Sequence, residues 1–255
     1  MLTNLMKSVG FFILFYLVTL RYFLPLCAKQ LLVLFGGKQV SDRDMHAQAS
    51  RWGKGLFSAV PGWEVQIEGR EFLPREGLES FVIVANHESA VDILVLYNLG
   101  LQFRWLAKDT IFRIPVIGQA MSWAGYIPIK RGDRGSHRRA LERSGEILTA
   151  KISMFFFPEG SRSPDGEMKP FKSGAFILAR DHNTAILPIA LTGTSNLLKK
   201  RSLCPFPAQV QMAILAPTYC QKHESIEEFT KRVEDLIRQK RNELRQQKVA
   251  AFAEA

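Results

Sequence analysis

Short apolar runs alternate with segments of helical periodicity over most of the chain after residue 40. The short runs predict strands at 63–69, 81–86, 103–107, 126–130, 153–158, 184–191 and 208–217. Apolar residues three and four apart predict helices at 42–58, 90–99, 114–125, 136–150 and 172–182, with a last helix from Ser225. Strands that alternate with helices favour an α/β fold, in which a mostly parallel central sheet is flanked by helices.

The N-terminal region follows a different pattern. Residues 9–20, VGFFILFYLVTL, are apolar except for one threonine, and a second run, LLVLFGG, begins further along. Each run is shorter than the roughly 20 apolar residues of a spanning helix. Arg21, Pro25 and Lys29 separate the runs, and proline is expected to break a helix. The pattern predicts two short helices over residues 5–36 that dip into one leaflet, with a single tilted spanning helix as the alternative.

This pattern divides the chain into a membrane-embedded helical segment, residues 1–40, and an α/β domain, residues 41–255.

The net charge of +10 and the isoelectric point near 9.7 indicate an anionic partner. A phospholipid surface, a phosphorylated substrate, an acidic carrier protein and nucleic acid all meet that condition. Three widely separated cysteines favour reduced thiols over a disulfide framework, and no metal site is expected from their spacing.

A histidine and an aspartate stand where a predicted strand meets a predicted helix, in FVIVANHESAVDILVL (81–96). Residues five apart lie about 140° apart on a regular helix, so His87 and Asp92 meet only if His87 is in the turn before the helix. Such a pair can act as a general base with its orienting acid. The alternative is a structural pair that caps the helix, and the spacing alone leaves both interpretations open.

Two further clusters follow predicted strands. FFFPEGSRSPDGEMKPFKSGA (155–175) combines glycines with basic side chains before a helix, which is typical of an oxyanion or phosphate site. GYIPIKRGDRG (125–135) ends a strand in two basic residues, and an arginine there can hold a phosphate. Ordinary surface turns are the alternative for both clusters.

Taken in order, these segments resemble the glycerolipid acyltransferases, and most closely the bacterial 1-acylglycerol-3-phosphate acyltransferases. NHESAVD (86–92) is similar to the family's His-x4-Asp motif, and GYIPIKR (125–131) to its second motif. FPEGSRS (157–163) is similar to the third motif, with serine in place of the usual threonine, and ILPIALTG (186–193) to the fourth. The resemblance covers about residues 60 to 200.

The resemblance implies transfer of a fatty acyl group from an acyl thioester to the sn-2 hydroxyl of 1-acylglycerol-3-phosphate, giving phosphatidic acid. His87 would be the general base and Asp92 its orienting group. The residues implied in acceptor binding are Lys108, Arg131, Glu159, Gly160, Ser161 and Arg162, with Lys169 and Lys172 as weaker candidates. No cofactor or metal is implied beyond the thioester itself, carried by coenzyme A or an acyl carrier protein.

The resemblance also implies the inner (cytoplasmic) membrane as the location, with the catalytic domain on its cytoplasmic face and a monotopic or single-span anchor. The expected partners are membrane phospholipid, the lysophospholipid and the acyl thioester, with an acyl carrier protein as one candidate carrier, and nucleic acid is not expected. Two other classes stay open from the residues alone. The first is another enzyme: an acyltransferase for a different lysolipid, or a thioesterase or phospholipase in which His87 activates water. The second is a protein that binds nucleic acid or membrane without catalysis.

Overall fold

The structure, a computed structural model, describes residues 2–37, 40–130, 132–162, 167–198 and 204–253. The helices are α1 (Leu2–Leu34), α2 (Asp42–Ala59), α3 (Asp92–Leu96), α4 (Ile117–Trp123), α5 (Arg134–Thr149), α6 (Gly174–Asp181), α7 (Thr194–Leu197) and α8 (Ile226–Ala253). The strands are β1 (Trp63–Glu68), β2 (Val82–Ala85), β3 (Phe103–Lys108), β4 (Ile127–Ile129), β5 (Ser153–Phe156), β6 (Ile186–Thr192) and β7 (Ala208–Ile214).

The strands of the described chain form one sheet in the order β1-β7-β6-β2-β5-β3-β4. All neighbouring strands are parallel except β6 and β7, which are antiparallel. The carboxyl ends of β6, β2, β5, β3 and β4 therefore lie along one edge of the sheet. This confirms the predicted α/β fold with its mostly parallel sheet.

Successive residues of the central strands enter different halves of the core. In β2, Ile83 and Ala85 pack on the face covered by α2 and α3, whereas Val82 and Val84 pack with α5, α6 and α8. Because side chains of a strand alternate between faces, a strand buried on both sides needs an apolar run without alternation. The run FVIVA meets that requirement and fixes β2 in the middle of the sheet.

The N-terminal prediction was wrong in one respect: α1 is a single helix that continues through Pro25. The proline removes one backbone donor, but neighbouring contacts hold the helix together. Gln48 of α2 donates to the carbonyl of Tyr22 at 3.0 Å, and Phe23 stacks on Trp123 of α4 at 6.3 Å between ring centroids. Packing against α2 and α4 thus outweighs the tendency of the proline to break the helix.

Candidate functional site

The turn between β2 and α3 brings the predicted histidine and aspartate together. β2 ends at Ala85, and Asp92 is the first residue of α3. His87 Nδ1 lies 2.7 Å from Asp92 Oδ2. The side chain of Asp92 is fully buried, while that of His87 is 17% exposed. The five-residue spacing therefore works as predicted, with His87 in the turn and Asp92 in the first helical turn.

The same carboxylate oxygen also holds the turn itself. Asp92 Oδ2 accepts the backbone N–H groups of Glu88 at 2.8 Å and Ser89 at 3.0 Å. Asp92 thus closes the turn and fixes the imidazole at once, so the two interpretations of the pair describe one arrangement.

The contact with Asp92 decides which nitrogen of His87 carries the proton. An ionised carboxylate can only accept, so Nδ1 is the donor and a neutral ring keeps its lone pair on Nε2. Among the described residues, no hydrogen bond engages Nε2. The ring stacks on Phe157 with centroids 4.0 Å apart and planes 21° apart, which fixes its tilt. A partly exposed imidazole nitrogen in this state can take a proton from a bound hydroxyl.

Glu159 connects the His87 turn with the loop after β5. Its Oε1 accepts the backbone N–H of His87 at 2.8 Å, and its Oε2 accepts that of Lys169 at 3.0 Å. Burial raises the pKa of this carboxyl above its ordinary value, and the two backbone donors oppose that rise. Both oxygens are engaged inside the protein, so Glu159 shapes the site by joining two loops.

Two lysine ammonium groups lie against the remaining residues of the loop. Lys169 Nζ donates to Ser161 Oγ at 2.8 Å and to the carbonyl of Arg162 at 3.0 Å. Gly160 has φ +70°, and a Cβ there would lie 2.7 Å from the Nζ of Lys172. Glycine is therefore favoured by the backbone conformation, whereas the flexible end of Lys172 could move aside at little cost.

The other predicted acceptor residues are not all placed beside His87. Lys108 is exposed at the carboxyl end of β3, and β5 lies between β3 and β2. It shares the sheet edge with His87 at a distance of two strands. Arg131 lies outside the described residues. Within the described ranges, no group of three or more His, Cys, Asp or Glu side chains is arranged to hold a metal ion.

Three contacts at the site were not predicted. Asn86 donates to the Leu191 carbonyl at 2.9 Å and accepts its N–H at 2.8 Å, which fixes the turn to β6. Phe157 supports the ring of His87, and Glu88 pairs with Arg241 of α8 at 3.0 Å. One signal for the last contact exists in the sequence, because Arg241 falls on the apolar face of the last predicted helix.

Comparison with known proteins relates this chain to acyltransferases. The protein-family model described as Acyltransferase matches residues 64–192. A chloroplastic 1-acyl-sn-glycerol-3-phosphate acyltransferase of Arabidopsis thaliana is 42% identical over 153 residues, which are 60% of this chain and 42% of that protein. A 1-acyl-sn-glycerol-3-phosphate acyltransferase of Chlamydomonas reinhardtii is 35% identical over 192 residues, 75% of this chain and 57% of that protein. The chain spans about half the length of these curated relatives.

A solved structure extends the similarity beyond the matched stretch. The crystal structure of the 1-acyl-sn-glycerophosphate (LPA) acyltransferase from Thermotoga maritima has a TM-score of 0.74 and 25% sequence identity. The alignment covers 96% of this chain and 97% of that one. The similarity therefore includes α1 and α8, on either side of residues 64–192.

Proposed function

The chain belongs to the acyltransferase family, and we propose that it transfers a fatty acyl group from an acyl thioester to the free sn-2 hydroxyl of 1-acylglycerol-3-phosphate. The product is phosphatidic acid. The observation that carries this proposal is His87, held by Asp92 at 2.7 Å with Nε2 available at the carboxyl edge of the sheet. The names of the relatives from Arabidopsis thaliana, Chlamydomonas reinhardtii and Thermotoga maritima support the choice of acceptor.

The proposed mechanism needs no covalent enzyme intermediate. His87 Nε2 takes the proton of the acceptor hydroxyl as its oxygen attacks the thioester carbonyl carbon. Asp92 stabilises the imidazolium that results, and the imidazolium returns the proton to the departing thiolate. A thioester is already an activated acyl group, so no nucleophilic side chain is needed. A positioned general base accelerates such a transfer by about 10²–10⁴-fold.

Stabilisation of the oxyanion must come from donors that the fold leaves available. The N–H groups of Glu88 and Ser89 are engaged by Asp92, and that of Gly160 donates to the Phe157 carbonyl at 3.0 Å. The ammonium group of Lys169 has three donors, of which Ser161 Oγ and the Arg162 carbonyl take two. It keeps one donor for the oxyanion and is therefore a stronger candidate than these backbone groups.

The acceptor phosphate needs cationic partners near His87. We assign it to Arg162 and Lys108, which lie along the same sheet edge as His87, and to Arg131 on the resemblance of GYIPIKR (125–131) alone. Ser161 and Lys169 shape the loop that carries Arg162, and Glu159 fixes that loop to the His87 turn.

The substrate and product are amphiphiles, so the site has to work at a bilayer surface. One helix of the described chain is long and apolar enough to cross a membrane, Met6–Ala28, with a mean hydropathy of 1.9. Side chains from Phe11 to Leu26 nevertheless pack against the α/β domain, over about 22 Å of helix. Trp52 of α2 donates to Thr19 Oγ1 at 3.0 Å, so a spanning α1 would draw the polar helix α2 into the hydrocarbon core.

We therefore propose that α1 lies in one leaflet, with its exposed apolar face in the acyl chains. The net charge of +10 favours an anionic lipid surface, and it would also attract an acidic acyl carrier protein as thioester donor. A cytoplasmic-face location at the inner membrane fits a supply of intracellular acyl thioesters.

The test uses the purified full chain in vesicles with a labelled acyl thioester, as coenzyme A ester or carrier-protein ester. The acceptors are lysolipids that differ only in the headgroup. We expect labelled phosphatidic acid from 1-acylglycerol-3-phosphate, and a loss of at least about 10²-fold in His87→Ala. His223→Ala removes an exposed histidine of the loop before α8 and should retain full activity. Release of free fatty acid without acylated lipid would show a hydrolase, and equal transfer by His87→Ala would refute the mechanism.

A further inference from the structure

A buried arginine of the C-terminal helix is bonded to the catalytic turn from outside the stretch that matches the family. Arg241 is on α8, and its side chain is 1% exposed. Its Nε lies 3.0 Å from Glu88 Oε1, across 153 positions of sequence. Glu88 is the residue directly after His87. We propose that Arg241 is a positioning residue for the acyl transfer, acting through Glu88 to hold His87 and Asp92 in their reactive geometry.

Glu88 connects Arg241 to His87 through its side chain on one side and its backbone N–H on the other. Glu88 Oε1 accepts from Arg241, and Glu88 Oε2 accepts the N–H of Gly193 at 3.2 Å, after β6. The backbone N–H of Glu88 donates to Asp92 Oδ2, the same oxygen that binds His87 Nδ1. A shift of the Glu88 side chain therefore moves the peptide between His87 and Asp92.

Burial makes this ion pair sensitive to the loss of one partner. The side chain of Glu88 is 5% exposed, so its charge is not hydrated when Arg241 is replaced. A buried charge that loses its partner costs several kcal/mol in general, whereas an exposed pair costs little. Arg245 also approaches Glu88, at 3.5 Å, but its side chain is 37% exposed and cannot replace the buried contact.

Helix packing alone does not account for an arginine at this position. Ile237 and Leu244, four residues before and three after, are buried on the same face of α8. An apolar side chain between them would continue that face without the cost of a buried charge. The ion pair with Glu88, at 3.0 Å, explains why an arginine occupies this position.

The ionisation of Glu88 affects the pH profile of activity, which a general loss of fold stability would not shift. Burial raises the pKa of Glu88, the positive charge of Arg241 opposes the rise, Asp92 adds to it, and Arg245 lowers it. Without Arg241 the pKa of Glu88 rises further, and the carboxylate takes up a proton at higher pH. Activity of an Arg241→Met protein should then fall, on the acid side, at a higher pH than activity of the wild type.

The experiment compares wild type, Arg241→Met, Glu88→Gln and the double variant in the vesicle assay above. We expect kcat of Arg241→Met to fall roughly 10–100-fold with little change in KM, as for a misplacement of about 1 Å. The glutamine introduced by Glu88→Gln is neutral and can still accept the Gly193 N–H. The double variant should therefore exceed Arg241→Met by at least about threefold, and its acid limb should return toward that of the wild type. Arg232→Gln is the control. It removes an arginine that pairs with Glu224 near the start of α8, and its kcat and KM should equal those of the wild type.

This inference rests on the proposed function, and the assay separates the two. No transfer by wild type would refute the proposed function. Transfer by wild type with an unchanged kcat in Arg241→Met would refute the positioning role alone. Equal losses in Arg241→Met and the double variant, with a lowered melting temperature in both, would show that Arg241 only stabilises the fold, and would also overturn the proposal.

Discussion

At the scale of single residues, one carboxylate oxygen organises the site. Asp92 Oδ2 accepts His87 Nδ1 and the N–H groups of Glu88 and Ser89, at 2.7, 2.8 and 3.0 Å. Three donors can converge there because the chain turns between a strand end and the first residue of a helix. The turn and the orientation of the base thus have a common origin, and a change of charge at Asp92 affects both.

Replacement of Asp92 by asparagine separates charge from shape. The asparagine side chain has nearly the same volume and can place its amide oxygen where Oδ2 lies, but it cannot stabilise an imidazolium. We expect kcat to fall about 10²–10⁴-fold with KM nearly unchanged. Steady-state kinetics with circular dichroism would check this. A kcat within about twofold of wild type, in a folded protein, would contradict the role assigned to the pair.

Replacement of Glu159 by glutamine tests the connection between the two loops. Glutamine has one acceptor oxygen, so either His87 N–H or Lys169 N–H would face an amide donor. An unmatched buried donor costs about 1–3 kcal/mol, and we expect the free energy of unfolding to fall by that amount. Activity should fall as well, because the side chain then no longer joins the His87 turn to the loop of Lys169 through both backbone groups. Denaturant titration is the measurement, and Glu167→Gln on the exposed part of the loop should show no comparable loss.

At the scale of elements, local patterns predicted the strand–turn–helix around His87 and the start of the last helix at Ser225. Ser225 and Glu228 exchange hydrogen bonds there, as a capping box requires. These features depend on neighbours within a few residues, so the sequence contains them. The contact between Glu88 and Arg241 depends on how α8 docks on the sheet, and the continuity of α1 through Pro25 depends on α2 and α4. The helical pattern places Arg241 on the apolar face of α8 but does not identify Glu88 as its partner, and no local pattern predicts the continuity of α1.

The same packing explains which face of α1 is available to a membrane. Phe15 and Thr19 contact Trp52 of α2, while Leu17 and Leu24 are 60% and 55% exposed. This exposed apolar face is the one that the proposed position in one leaflet would place among the acyl chains.

A double change of Leu17 and Leu24 to glutamate should weaken binding to anionic vesicles at least about tenfold, since each buried leucine contributes about 1.5–3 kcal/mol. Co-sedimentation measures the partition. Gln239→Glu with Asn242→Asp adds the same charge on α8 and is the matched control. Equal partition of the two double variants would show that charge alone, and not the α1 face, sets membrane binding.

At the scale of the whole molecule, a buried polar network joins helix α2 to the segments that lead into β3 and β4. His46 of α2 is fully buried; its Nε2 donates to the Leu101 carbonyl at 3.1 Å, and its Nδ1 accepts from Tyr126 at 3.0 Å. Tyr126 and Tyr97 hydroxyls lie 2.9 Å apart. Both ring nitrogens have these partners while the histidine is neutral, so the folded state resists its protonation.

Stability should therefore depend on pH through His46. Burial, with the charge of nearby Arg104, lowers the pKa of His46 from 6.5 to about 3. Between these values the unfolded chain binds a proton that the folded protein does not, so the free energy of unfolding falls as pH drops below 6.5. One such group contributes at most about 1.4 kcal/mol per pH unit. His46→Gln removes this dependence, although its lost hydrogen bonds lower stability at neutral pH.

The gap in unfolding free energy between wild type and His46→Gln should therefore narrow steadily as pH falls from 6.5 toward 3. Chemical denaturation across this range measures the gap. His137→Gln removes an exposed histidine of α5 and is the matched control, whose difference in unfolding free energy from the wild type should stay constant with pH. A gap for His46→Gln that does not change with pH would mean that the folded protein accommodates a charged His46, and that the network does not require the neutral ring.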